Sequence, residues 1–262
     1  MASSTAGPDP AGFDFSGKVA VVTGGSRGLG REMVWAFARA GADVVIASRK
    51  LEGCEALAKE IAADTGRRAL AVACHVGRWS DCDALVERCY EEFGRVDVLV
   101  NNAGMSPRYA SLPEVSEELF DKVIAVNLRG PFRLSSLVGA RMVEGDGGSI
   151  LNVSSTAAVM PTPIEIPYGT AKAGIHNLTL GLARALAPKV RVNCIMPGPF
   201  LTDISKAWTP EMLAGIERAV PLGRGGRADE IVGAALYLSS DAASFTTGAI
   251  LKVDGGFAQT PA

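Results

Sequence analysis

The sequence predicts an α/β fold, a single domain on a seven-stranded, doubly wound parallel sheet with helices on both faces. Three observations carry that prediction. Short apolar, β-branched runs alternate with longer stretches at helical spacing, the mark of βαβ units and of a sheet covered on both sides. The 262 residues contain no composition break, repeat or linker that would divide them. The first apolar run ends in a glycine-rich turn, Thr23-Gly24-Gly25-Ser26-Arg27-Gly28-Leu29-Gly30, that opens directly into a helical stretch.

In order, Lys18–Thr23 reads as strand, Gly28–Ala40 as helix, Asp43–Ser48 as strand and Leu51–Asp64 as helix. Ala69–Val76 is the third strand. In Ser80–Phe93, Cys82, Leu85, Val86, Cys89 and Phe93 fall on one helical stripe. Val96–Val100 is strand, Glu117–Asn127 and Pro131–Val143 are separate helices, and Ser149–Val153 is strand. Tyr168–Ala187 is a long helix and Val190–Ile195 a strand. Glu211–Ala219 and Asp229–Ser239 are helical, and Ala249–Val253 closes the sheet.

Composition narrows the function. Lys plus Arg number 26 and Asp plus Glu 28, a net charge of −2, which weighs against nucleic-acid partners. No apolar run approaches the roughly 18 residues of a membrane span, so no membrane partner is expected. Residues 1–12 are small, polar and Pro-containing, without a signal peptide's charged and apolar regions; they read as a flexible leader before a domain over 13–262. Five cysteines, an odd count without a CxxC, fit a reducing, cytoplasmic setting and core packing rather than disulfides or zinc.

In a parallel sheet a ligand sits beyond the carboxyl ends of the strands. Glycines there let backbone N–H groups approach a pyrophosphate, and the following helix N-terminus offers free donors. The loop Gly24-x-x-x-Gly28-x-Gly30, with Ser26, Arg27 and Leu29, is therefore a candidate dinucleotide cradle, although a plain strand-to-helix turn also favours glycine. Tyr168 and Lys172 lie four apart on one helix face. A nearby ammonium favours the phenolate and lowers the tyrosine pKa, so the pair can take or give a proton. Chance YxxxK pairs are common, and the alternative is a surface lysine beside a packed tyrosine. Ser155 and Asn101-Asn102-Ala103-Gly104 follow strands at the same sheet edge. Asn127 lies on the apolar stripe of Phe120, Val123 and Ile124, where it either needs buried partners or caps the helix before Gly130-Pro131.

Together these residues resemble the short-chain dehydrogenase/reductase family, from Lys18 to about Phe257. The resemblance rests on Thr23-Gly24-x-x-x-Gly28-x-Gly30, Asn101-Asn102-Ala103-Gly104, Asn127, Ser155, Tyr168-x-x-x-Lys172, Asn193-x-x-x-Pro197-Gly198 and Val253-Asp254-Gly255-Gly256. It lies nearest the branch of β-ketoacyl-carrier-protein reductases and related ketone and sugar dehydrogenases. The resemblance implies a Rossmann fold, a homotetramer, a nicotinamide cofactor, no metal and an Asn127-Ser155-Tyr168-Lys172 tetrad. Tyr168 would be the acid or base, and Ser155 would hold the substrate oxygen. Lys172 would lower the Tyr168 pKa and hold the ribose, while Asn127 would position a relay water. Asn102, Ala103 and Gly104 would line the cofactor cleft. Pro197, Gly198, Phe200 and Thr202 would pack around the nicotinamide. Where the family usually has Asp or Asn before Val76 against adenine, this chain has His75, which either donates to the ring or is a strand-end residue. His176, one turn past Lys172, reads as structural.

At the end of the second strand an NAD enzyme carries an acid for the ribose hydroxyl. This chain has Ser48, Arg49 and Lys50, which predicts NADP(H) over NAD(H). The apolar residues Ile175, Leu178, Leu182, Ala183 and Leu186 give the long helix a surplus face for oligomer contact. Met105–Tyr109, Met160–Pro167 and Phe200–Pro221 should wall the pocket. Met160, Pro161, Pro163, Ile164, Ile166, Ile204 and Trp208 lean it toward a lipophilic ketone, alcohol or acyl thioester over a sugar. The exposed alternatives for Arg108 are an anion contact or a solvated loop. A nucleotide-sensing, non-catalytic member, an NAD-dependent sugar or alcohol dehydrogenase and an enoyl reductase remain the rival readings.

Overall fold

Runs of Val, Ile and Leu form strands here because both sheet faces are covered and an apolar residue is buried whichever way it points. In the computed structural model, β1 (Val19–Thr23) and β4 (Val98–Asn101) are buried at every position. The structure describes residues 13–203, 205 and 209–258. The leader (1–12), Ile204 and Trp208 lie outside them.

Seven strands form one sheet in the order β3-β2-β1-β4-β5-β6-β9. They include β2 (Asp43–Ser48), β3 (Ala69–Ala73), β5 (Gly148–Val153), β6 (Val190–Pro197) and β9 (Ile250–Val253). Every pairing is parallel. The chain steps one way from β1 and the other way from β4, so the crevice between their carboxyl ends is the topological switch point. One apolar core lies under α1 (Gly28–Arg39), α2 (Leu51–Thr65) and α8 (Val232–Ser239), centred on Met33, Phe37, Leu57, Ile61 and Leu236. The other lies under α3 (Trp79–Phe93), α5 (Gly130–Glu144) and α6 (Ile166–Ala185), around Leu85, Val86, Leu134 and Val138.

Several boundaries depart from the pattern-based expectation. The third strand stops at Ala73 instead of Val76. Cys74 still bonds Ser48 O at 2.9 Å, but the Asp81 carboxylate takes the His75 N–H at 3.0 Å and turns the chain out of the ladder. The two helices expected before and after Leu128 are one continuous rod. α4 (Glu117–Ile124) runs through a π-helical turn, Ala125–Arg129, into α5. The wider turn accommodates Pro131, which has no N–H to donate. The long helix starts at Ile166 because Pro167 is well placed in a first turn. A small parallel pair, β7 (Phe200–Leu201) with β8 (Gly226–Arg227), brackets α7 (Pro210–Ala219) and was not foreseen.

The surplus apolar face assigned to α6 is corrected too. Ile175, Leu182 and Ala183 are buried in the chain's own core, and Leu178 and Leu186 pack against it; Leu180 is the exposed leucine. All five cysteines are free and buried. Among the described residues no helix is long and apolar enough to cross a membrane, and no cluster could hold a metal ion.

A buried polar chain crosses the sheet beneath its carboxyl edge. The Asn101 amide donates to Ser135 Oγ and to Asn152 Oδ1, both at 2.9 Å. Asn152 Nδ2 donates to Thr179 Oγ1 at 3.0 Å, and Thr179 donates to Ile175 O at 2.8 Å. These bonds hold α5, β4, β5 and α6 at a common level, because each partner lost would leave a buried polar group unpaired.

Candidate active site

The glycine loop leads from β1 to α1. Gly24 and Gly28 have φ of +64° and +53°, which an L side chain rarely tolerates. A Cβ on Gly30 would lie 2.2 Å from Gly24 O, so the helix is pressed onto the turn. Thr23 Oγ1 accepts from the N–H groups of Asn102 and Ala103 at 3.1 Å, and Asn102 Nδ2 donates to Thr23 O at 2.9 Å. The sequence marks this threonine only as the first residue of the glycine motif; in the structure it locks the ends of β1 and β4 together. No side chain caps the start of α1 and its first turn holds no acid. Its N–H groups and the bare loop therefore suit the pyrophosphate of a dinucleotide, and Gly30 lets the helix N-terminus sit directly on the turn.

At the neighbouring edge, Ser26 Oγ meets Ser48 Oγ at 3.0 Å, joining the loop to the end of β2. Arg27, Arg49 and Lys50 are exposed around them, with Leu29 half-buried. His75 is half-buried beyond β3, next to the buried Val76. Its Nδ1 accepts the Gly77 N–H at 3.2 Å, so the neutral ring carries its proton on Nε2.

Ser155 follows β5 directly. Its Oγ accepts the Ala157 N–H at 3.2 Å, and its hydroxyl lies near enough to the Tyr168 phenol to lower that group's pKa. Burial pushes the Tyr168 phenol up to about 12; the Ser155 bond pulls it down and the Glu165 charge pushes it up. Lowering by Lys172, expected from the sequence, is absent. Instead the Lys172 ammonium turns to Val153 O, at 2.7 Å, and lies 5.7 Å from the Tyr168 ring centroid. Lys172 is 4% exposed, and burial pulls it down to about 8.

Asn127 sits inside the π-helical turn and caps nothing. Its Oδ1 accepts the Met105 N–H at 3.1 Å, and its Nδ2 donates to Met105 O and Val123 O at 2.9 Å. A Cβ on Gly104 would stand 2.9 Å from that Oδ1 and 3.6 Å from Lys172 Nζ, so glycine leaves the room both groups occupy. Ser154 points the other way. It donates to Lys172 O at 3.2 Å and pairs with His176 Nε2 at 2.8 Å, which gives His176 the structural place expected of it. Burial, then the Lys172 charge, holds the His176 ring below its ordinary pKa.

Pro197 ends β6, and Gly198 packs so closely on Asp254 that a Cβ would approach it to 2.7 Å. Phe200 is buried, and Thr202 lies over Gly28, 3.6 Å from where its Cβ would be. The glycine loop, Asn102–Gly104, Ser155, Tyr168 and Lys172 thus lie along the carboxyl edge of the sheet, whereas Ile204 and Trp208, expected in the pocket wall, lie outside the described residues. Beside Ser155 opens a cavity of about 520 Å³ walled by Met160, Pro161, Pro163, Glu165 and Phe257. Tyr109 fastens its rim, donating to Pro163 O and accepting from Ile166 N–H, both at 2.9 Å. Glu165 falls within the Met160–Pro167 stretch expected to wall the pocket but is not singled out by the sequence, and Phe257 is not expected there. The signal for the first was present, since Glu165 is the one ionisable residue in Met160–Pro167.

A family model described as enoyl-(acyl carrier protein) reductase matches residues 24–258. D-threitol dehydrogenase of Mycolicibacterium smegmatis is 38% identical over 249 residues, 94% of this chain and 95% of that protein. A 3-oxoacyl-(acyl-carrier-protein) reductase of Chlamydia trachomatis is 38% identical over 242 residues, covering 92% and 97%. Among solved structures, the NADPH-dependent 3-quinuclidinone reductase of Rhodotorula rubra superposes with a TM-score of 0.90 at 29% identity, over 99% of this chain and 98% of that one.

The burial of Lys172 makes a signed prediction. Its folded pKa is about 8, against 10.5 for an ordinary lysine. Between those values the unfolded chain keeps a proton that the folded chain has lost, so this group's contribution to stability rises with pH. Relative to Lys172→Met, the wild type should gain about 3 kcal/mol across that window, read from denaturant unfolding at a series of pH values. A difference that does not change with pH would contradict the buried ammonium.

Proposed function

The chain belongs to the short-chain dehydrogenase/reductase family, and on that footing we propose an NADP(H)-dependent oxidoreductase that moves hydride between nicotinamide and a ketone or secondary alcohol. The observation that carries this reading is the Ser155 hydroxyl at the wall of the cavity, set beside the Tyr168 phenol, with a buried ammonium one helical turn on. Two neighbouring hydroxyls can converge on one substrate oxygen. They serve a carbonyl better than a C=C bond, which favours ketone over enoyl chemistry.

When bound, the dinucleotide supplies the hydride. The residues of the chain do the rest. Tyr168, which burial keeps neutral, hands its proton to the carbonyl oxygen in reduction; in oxidation it first passes that proton to the relay water, and the phenolate so formed takes the proton of the alcohol. Ser155 donates to the same oxygen and stabilises the charge that develops there. Lys172 has one donor on Val153 O and two more to offer, and these hold the ribose hydroxyls. Asn127 fixes the Met105 backbone over the cleft and positions the relay water. His75 Nε2–H is the donor available to adenine.

NADP(H) is favoured because the end of β2 has no carboxylate to repel a 2′-phosphate. Ser48 joins Ser26, and Arg27, Arg49 and Lys50 stand around them. The NADPH-dependent reductase among the structural relatives agrees with this preference. A homotetramer is supported by two exposed apolar groups, Phe120, Phe132 and Leu180 on the α4–α6 side and Tyr237, Phe245 and Leu251 near the C-terminus. We read the protein as cytoplasmic, one catalytic domain over 13–262 behind the leader.

Tyr168→Phe tests the mechanism. Turnover of a ketone panel, followed by nicotinamide absorbance, should fall by on the order of 10²–10⁴, with coenzyme affinity and melting temperature unchanged. More than a tenth of the wild-type rate would reject the assignment. For the cofactor, Arg49→Ala should raise the KM for NADPH about tenfold and leave that for NADH almost unchanged. An equal effect on both would remove the 2′-phosphate contact.

A further inference from the structure

Among the described residues, one ionisable side chain lines the cavity beside Ser155, and it is an acid. Glu165 lies three residues before Tyr168, at the residue preceding α6, and its charge reaches the Tyr168 phenol. It is half-buried. Its Oε2 accepts from Ser106 Oγ and its Oε1 from Thr162 Oγ1, each at 3.1 Å. Both donors are neutral hydroxyls. A carboxylate has about four lone-pair sites, so the group still has capacity for donors on the cavity side. Ser155, Thr156 and Thr162 add hydroxyls to the same wall.

We propose that Glu165 determines specificity by accepting a hydrogen bond from a substrate hydroxyl adjacent to the reacting carbon, so that vicinal diols, polyols and their α-hydroxyketones are the favoured substrate class. This deepens the oxidoreductase reading and rests on it. A half-buried carboxylate gains most from a donor that arrives desolvated, and charge-assisted hydrogen bonds are about twice as strong as neutral ones. The same carboxylate repels an anionic group at that position, so a hydroxy acid is disfavoured. The apolar lean drawn from Met160, Pro161 and Pro163 describes the wall but leaves out its one charge. A hydroxyl fits better than an ammonium because the carboxylate is already matched to hydroxyl donors and the Lys172 cation lies under the same site.

The competing role for Glu165 is purely architectural, tying the Ser106 loop to the start of α6. Two variants separate the roles. Glu165→Leu loses both the tie and the carboxylate; Ser106→Ala loses the tie and keeps the carboxylate. The kcat/KM for oxidation of 2,3-butanediol, 2-butanol and 3-hydroxybutyrate is measured with NADP⁺ and with NAD⁺. The wild type should prefer the diol to the monoalcohol by at least tenfold, with the hydroxy acid poorest. Glu165→Leu should bring the diol-to-monoalcohol ratio close to one, mainly through KM, with melting temperature and coenzyme affinity unchanged. Ser106→Ala should keep the ratio. Retention of the ratio in Glu165→Leu, its equal loss in Ser106→Ala, or no diol preference in the wild type would overturn the role of Glu165. Absence of turnover on all three compounds with both coenzymes would overturn the oxidoreductase reading itself, and this inference with it.

Discussion

An ammonium group buried in the floor of a cleft is the constraint around which this molecule is arranged. Lys172 is almost fully enclosed, and its charge is met by the carbonyl of Val153 at 2.7 Å. Keeping that carbonyl in place requires β5 to end there and α6 to start beside it. Beside the ammonium, Gly104 leaves room for Asn127 Oδ1, which a Cβ there would approach to 2.9 Å. The cost of enclosure shows in the lysine's pKa, which falls to about 8. A surface pair of the same two residue types would hold neither a fixed geometry nor a low-dielectric field.

The surrounding polar residues are consistent with that demand. A parallel sheet covered on both faces is an expensive place for amides and hydroxyls, and most of those it contains are hydrogen-bonded to one another or to backbone, Asn101 Oδ1 being left without a partner. Asn101, Asn152 and Thr179 bridge neighbouring elements beneath the edge, and Ser154 with His176 braces the backbone of Lys172 from behind. Thr23 and Asn102 do the same for the glycine loop. The cofactor cradle and the proton-transfer site are therefore two ends of one braced edge, with Asn127 and Met105 between them.

Most of this was legible in the sequence because it depends on residue type at fixed spacing. Alternating runs placed all seven strands of the main sheet, and the tetrad residues marked its carboxyl edge. What was not legible depends on packing between distant segments. The Asp81 carboxylate that ends β3 acts on a backbone group, not on a pattern. The π-helical turn that fuses α4 to α5 is hidden by Pro131, which normally signals a break. The faces of α6 were misjudged because Ile175 and Leu182 fill the core beneath their own helix. The Tyr168 pKa rises where the YxxxK spacing implied a fall, since spacing shows that a lysine is near but not that its ammonium turns to Val153. Glu165 lay within a stretch expected to wall the pocket, but only the apolar residues of that stretch were weighed, because its partners Ser106 and Thr162 are set by packing and not by spacing.

The account stands on Tyr168 as a neutral acid beside a lysine that titrates in the working range. The pH dependence of kcat/KM for ketone reduction reports the ionisations of the free enzyme and so tests this directly. With Tyr168 un-ionised up to about 12 and Lys172 losing its charge near 8, the rate should be level at low pH and decline through about 8. A decline centred instead near 6.5, the ordinary value for histidine, or a rate that rises as Lys172 loses its proton, would contradict it.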